Sequence, residues 1–181
     1  RPLLESPKFS AWYRNWFGPQ TKPVAARGGT ALGRAWLLAL IVGVLSSLFS
    51  AHIGSRFGTL PPAYHDEYSY LFQAETFLAG RVWYPSDSRA PELFDQMHVL
   101  NDNGKFASRY FPGAGAWIAP FLRLGNPYWG HWLAGALVAF FVFWAGRELG
   151  GNLTGFVAGL LSAVAPGMGL FGNLVLAHPP A

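Results

Sequence analysis

From Ala35 to Ala51 the chain reads AWLLALIVGVLSSLFSA, a run without a charge. Its length is near the lower limit of the roughly 17–25 residues that cross a bilayer, and hydrocarbon offers its backbone no water to bond, so it must be helical. Arg1, Lys8, Arg14, Lys22, Arg27 and Arg34 precede it, opposed only by Glu5. Such an excess marks a cytoplasmic flank. The leader is longer than that of a signal peptide, and Phe49 would stand at the −3 position for cleavage after Ala51, so the run reads as an uncleaved anchor. A second run, Trp132 to Ala145, becomes a span when Tyr128, Trp129 and His131 are counted as its interfacial belt. A third extends from Leu153 to Leu176, broken near Pro166-Gly167, and its Gly155 and Gly159 are spaced to let a neighbouring helix approach closely.

With 51% hydrophobic, 17% aromatic and 12% charged residues the chain is more apolar than an average soluble domain. The expected fold is an all-α polytopic membrane protein with about three transmembrane helices and an external loop bearing an amphipathic helix and a small hairpin. The layout is a cytoplasmic basic and aromatic tail over 1–34, a transmembrane helix over 35–53 and an external loop over 54–127. A transmembrane helix over 128–146, a cytoplasmic turn over 147–152, a transmembrane helix over 153–176 and an external end over 177–181 complete it. Trp12, Tyr13, Trp16 and Phe17 sit among the basic residues of the tail, which suits the headgroup surface of the inner leaflet; a disordered tail is the alternative. Because the chain begins on Arg, a processed or truncated piece is expected.

The loop mixes Asp66, Glu67, Glu75, Asp87, Glu92, Asp95 and Asp102 with Arg56, Arg81, Arg89, Lys105, Arg109 and Arg123, a near balance that fits the outer side. Its first part, His65 to Gly80, follows Pro61-Pro62 and closes on glycine, and so reads as a short helix. On a helical wheel Asp66, Ser69, Gln73 and Thr76 share one face, and Glu67, Leu71, Ala74 and Leu78 another. Both acids fall in the first turn, where the helix dipole favours ionised carboxylates; helix-start acids with no other role have the same pattern. Pro85 and Pro91 favour extended chain, and Met97 to Leu100 and Lys105 to Ser108 flank Asn101-Asp102-Asn103-Gly104 as a hairpin. Tyr110 to Trp117 reads as a turn feeding Ile118 to Leu122, a run too short to span and read as re-entrant or interfacial.

Several classes are excluded. The basic excess lies in the tail, so no nucleic-acid partner is expected. Without cysteine there is no disulfide framework or thiolate metal site. No glycine-rich phosphate loop occurs in a strand-to-helix context, and neither Ser108 nor Ser162 has a nucleophile-elbow setting. No charge lies inside a span, which weighs against ion-coupled transport. What remains is an acid pair on an external loop beside membrane spans, where a carboxylate can take a proton from an acceptor hydroxyl. His65, His98 and His178 could ligate or touch phosphate, and Arg81, Arg89 and Arg109 could hold a phosphate leaving group. No spacing is diagnostic of a metal site, and a divalent metal cofactor stays open.

The order of features is a basic tail, a span, an external Asp66-Glu67 followed by Tyr68-Ser69-Tyr70-Leu71-Phe72-Gln73-Ala74 and Ala79-Gly80-Arg81. A hairpin ending Ser108-Arg109-Tyr110-Phe111-Pro112-Gly113, two spans joined by Gly146-Arg147-Glu148-Leu149, and Ala177-His178-Pro179 follow. Over about residues 34 to 181 this resembles the N-terminal part of bacterial membrane glycosyltransferases of the C superfamily, close to the family 39 protein mannosyltransferase and aminoarabinose transferase type. The resemblance implies a sugar moved from a polyprenyl-phosphate donor to a lipid, glycan or protein hydroxyl at the bacterial cytoplasmic membrane. It puts Asp66 in the position of the catalytic base and Glu67 in that of the accompanying acid. Arg81, Arg109, His98 and His178 are then substrate-binding candidates, with membrane lipids and other membrane subunits as partners. Two departures stand out: Tyr110 to Gly115 lacks the Tyr-Pro-Pro-Gly-Trp-Pro pattern of that type, and the chain has fewer spans. It is therefore either an inactive piece of an enzyme or a shortened, non-catalytic subunit of a larger complex.

The orientation is open to test by cysteine labelling, since the chain has no cysteine of its own. In intact cells a membrane-impermeant thiol reagent should label Ser88→Cys and spare Thr21→Cys. The opposite pattern would reverse the topology.

Overall fold

The computed structural model describes residues 6–17, 29–57, 62, 64–87, 89–90, 92 and 95–176. In chain order the elements are α1 (Pro7–Phe17), α2 (Gly29–Phe57), α3 (His65–Leu78), β1 (Tyr84–Pro85), β2 (Val99–Asp102), β3 (Lys105–Ser108), α4 (Pro112–Arg123), α5 (Tyr128–Ala163) and α6 (Pro166–Phe171). The chain is mostly helical, and among the described residues two helices are long and apolar enough to cross a membrane, Leu32–Arg56 and Tyr128–Ala163. It divides into two units, Arg1–Phe49 with Gly135–Met168, and Ser50–Ala134 with Gly169–Ala181.

In the first unit α5 is interrupted at Gly150 and Gly151, whose backbone is not helical; Gly151 has φ 84°, a conformation glycine adopts without steric cost. Beyond the break the chain turns back on itself. A Cβ on Gly155 would meet the Phe143 carbonyl oxygen and Arg147, and one on Gly159 would meet the Ala139 carbonyl oxygen and Phe143, so the contact register runs antiparallel. The two glycines thus bring two limbs of the same chain together, and Gly159 also admits Val42 of α2. Ala35, Leu38, Ala39, Val42 and Phe143 form the buried centre, with Trp16, Phe140, Trp144 and Phe156 packed around it. Leu40, Val44 and Leu48 of α2 are more than half exposed. The stretch 153–176 is helical to Ala163 and again over α6, not as one continuous helix.

The tail is not featureless. Residues 7–17 form α1, whose carbonyls at Asn15 and Trp16 have no partner within the helix, as at every helix C-terminus. Arg34 donates to the Asn15 oxygen at 2.8 Å and Asn152 to the Trp16 oxygen at 3.0 Å. Arg147, read from sequence as part of a turn, is buried, with its guanidinium on Asn152 at 2.9 Å, on Glu148 at 3.0 Å and over the Trp144 ring.

In the second unit α3 packs face to face on α4 around Tyr70, Ala74, Ile118, Ala119 and Val175. The stretch from Tyr110, read as a turn feeding an apolar run, is instead helical from Pro112, because proline at the first helical position lacks an N–H that would be unpaired there and already has helical φ. The hairpin turn is shorter than the four residues expected. Asp102 pairs with Lys105, leaving Asn103 and Gly104 as a two-residue turn with φ 49° and 73°. Positive φ at both positions matches the right-handed twist of the strands. β1 adds a third strand along β3, giving the order β1-β3-β2, with Pro85 on an edge where no ladder N–H is needed.

The close approach at Gly155 predicts its mutational cost. Gly155→Ala would place a Cβ 2.5 Å from a backbone oxygen, so the limbs must separate, at about 1–3 kcal/mol. Gly113→Ala, where a Cβ meets nothing within 4 Å, should be neutral or slightly stabilising. Thermal unfolding of both variants in detergent checks the difference.

Candidate functional site

The polar stripe of α3 faces inward. Ser69, Gln73 and Thr76 are buried, so the helix is not amphipathic with its polar face outward, and each hydroxyl or amide is paired. Gln73 donates to the Tyr110 carbonyl at 2.9 Å and accepts from the Gly115 N–H at 3.1 Å, tying α3 to the start of α4. Ser69 donates to the His98 carbonyl at 2.7 Å and lies 2.8 Å from the Ser108 hydroxyl, tying α3 to the hairpin. Thr76 bonds back to the Phe72 carbonyl within its own helix.

These ties bring His98 over the first turn of α3. His98 has φ 65°, a left-handed conformation that costs a residue with a Cβ, and its carbonyl is held by Ser69 and by the Arg109 N–H at 3.2 Å. Its Nε2 lies 2.9 Å from an Asp66 carboxylate oxygen, and the Arg109 guanidinium reaches Nδ1 at 3.5 Å. Arginine can only donate, so a hydrogen bond from Arg109 would need Nδ1 as the acceptor, in the tautomer that carries its proton on Nε2 facing Asp66. Tyr110 stacks between the Tyr70 and His98 rings, at 4.5 and 5.6 Å. Burial, followed by the Asp66 hydrogen bond and charge, pushes the Tyr110 phenol up to about 12. Tyr70 is raised too, by burial and then by Asp66.

Asp66 remains 41% exposed and borders an open cleft of about 320 Å³. Tyr64, His65 and His98 line it beside Asp66, and Phe171, Leu174 and Leu176 supply an apolar wall. Glu67 points elsewhere. It is 1% exposed, accepts the Val175 N–H at 2.7 Å, and reaches back to the N–H of Tyr64 at 3.2 Å, the return bond of a capping box. The structure thus unites Asp66, His98 and Arg109 and directs Glu67 to a tie between α3 and the 175 segment. Arg81 is not in this group; its guanidinium lies over the Tyr84 ring at 5.3 Å, and Arg89 is paired with its neighbour Asp87 at 2.8 Å. His178 lies outside the described residues. Among the described residues no group of three or more acids and histidines is placed to hold a metal ion.

Sequence reasoning missed Tyr110 and the Phe171, Leu174 and Leu176 wall. A signal for Tyr110 existed, since it directly follows Arg109 at the end of the hairpin. For the apolar wall there was none, because those residues read only as the end of a span. Compared with family models, curated proteins and solved structures, the chain matches none.

The tyrosine shift gives a pH test. A phenol with its folded pKa raised from 10.0 to about 12 stabilises the fold fully below pH 10 and loses that contribution as pH rises toward 12. In alkaline titration followed by tyrosinate absorbance, one component should therefore ionise near 12. Tyr110→Phe should delete it and narrow the alkaline stability loss.

Proposed function

We propose that this chain carries the acceptor-activating part of a membrane glycosyltransferase, moving a sugar from a polyprenyl-phosphate donor to a hydroxyl on the outer side of the bacterial cytoplasmic membrane. α2 and the two limbs of α5, extended through α6, are its three crossings, with the N-terminus cytoplasmic. The observation that carries the reading is the setting of Asp66: a carboxylate held by His98 and open to a cleft with an apolar wall. A general base needs that combination of fixed position and access to the acceptor proton. In the reaction the acceptor O–H gives its proton to Asp66 as its oxygen bonds the anomeric carbon. The bond from that carbon to the phosphate oxygen breaks, and polyprenyl phosphate leaves with the electron pair. Arg109 supplies positive charge nearby for the departing phosphate, and Phe171, Leu174 and Leu176 suit the first carbons of a polyprenyl chain. Glu67 serves as a positioning residue that holds the start of α3 in place.

A structural subunit that binds partners through its Gly155 and Gly159 face is less well supported, because that face is occupied by Phe143, Arg147 and Val42 of the same chain.

The test is transfer from lipid-linked sugars by the full protein. Asp66→Asn keeps shape and removes basicity, and should lower turnover about a hundredfold or more while leaving donor binding near wild type. His98→Gln should cost less and act mainly on turnover. Near-normal turnover in Asp66→Asn, or none in the wild type with any polyprenyl-phosphate sugar, would sink the proposal.

A further inference from the structure

α1 is clamped at its C-terminal end. Its last carbonyls are taken by Arg34, at the start of the apolar helix α2, and by Asn152, directly after the reversal at Gly150 and Gly151. Both anchors stand where an apolar helix begins or turns back, which is where the hydrocarbon of a bilayer gives way to headgroups. Trp16 is the ring that packs into the unit's core, and Arg34 lies over it at 5.8 Å. Trp12 and Tyr13, on either side of Trp16 on the helical wheel, are 49% and 38% exposed. Lys8 and Arg14 are exposed, and residues 7–17 contain no acid. Among the described residues of this unit the one acid is Glu148, and it is paired with Arg147.

We propose that α1 is an in-plane helix that binds an anionic lipid surface, with Trp12 and Tyr13 at the depth of the acyl boundary and Lys8 and Arg14 on lipid phosphates. The reading rests on α2 crossing a membrane and is independent of glycosyl transfer. Two observations favour lipid over a protein partner. The clamp holds α1 at the end of a span, where lipid is the surrounding medium. The exposed aromatic and basic residues, with no acid among them, also match the chemistry of an anionic leaflet: rings that tolerate both environments, and cations attracted to its negative surface potential. The clamp matters because a short helix alone is marginal in water; capping its carbonyls from α2 and α5 keeps it folded and at a fixed height.

The experiment uses the full chain, spin-labelled at single cysteines, in nanodiscs of phosphatidylcholine with or without phosphatidylglycerol. Collision rates with oxygen and with a nickel chelate report lipid and water exposure. Leu40→Cys on the outer face of α2 is the control for the span and should lie in lipid. Trp12→Cys should then be rich in oxygen and poor in nickel contact, and Ala11→Cys the reverse. The Trp12 label should move deeper in anionic discs, and Lys8→Gln with Arg14→Gln should abolish that movement. If Leu40→Cys is in lipid but Trp12→Cys is exposed to nickel in both discs, the helix proposal fails while the span stands. Spin–spin coupling between Trp12 labels of two copies would replace lipid by a second chain and overturn it as well. A Leu40 label in water would remove both the span and the proposal.

Discussion

A polar side chain buried in a seam between helices has to find partners, and in α3 that requirement sets the geometry around the cleft. Gln73 spends both ends of its amide, one on the Tyr110 carbonyl and one on the Gly115 N–H, so α4 can approach α3 in one register only. The close fit is visible at Gly115, where any Cβ would collide with the Gln73 side chain. Ser69 does the same toward the hairpin through the His98 carbonyl. An unpaired amide or hydroxyl in such a place costs about 1–3 kcal/mol, so the alternatives are penalised and the arrangement is specific. His98, strained at positive φ, is held in place by these bonds and meets Asp66 as a result.

Asp66 and Glu67 show how one step along a helix separates two roles. Adjacent residues point about 100° apart, and here that step divides a half-exposed carboxylate at a cleft from one buried against the Val175 N–H. The two acids do not face each other.

In the first unit the decisive constraint is backbone approach. Gly155 and Gly159 let the limbs of α5 come close enough for one helix to sit against the carbonyls of the other. The reversal also explains how Arg147 is accommodated: Asn152 and Glu148 lie beyond and beside it, and the Trp144 ring covers its guanidinium. A buried guanidinium is costly unless its donors are used, and the turn supplies the acceptors.

Where local chemistry decides, the sequence was sufficient. The uncharged run after Ala35 reads as a helix, His65 to Gly80 carried its start and stop signals, and the Asn-Gly pair marked a hairpin, although the sequence reading made its turn two residues too long. The helix from Pro112 shares its proline and glycines with turn signals, so local pattern alone does not separate the two. What the tertiary structure alone decided is which face of each element turns inward. The wheel grouped Asp66 with Ser69 and Gln73, yet the latter two are buried, because their partners come from residues 29 to 42 positions away that no local pattern reveals. The same holds for the α1 clamp, where Asn152 meets Trp16 across 136 residues of chain. Periodicity records how a segment is divided into faces; only long-range hydrogen bonds determine which face can afford to be dry.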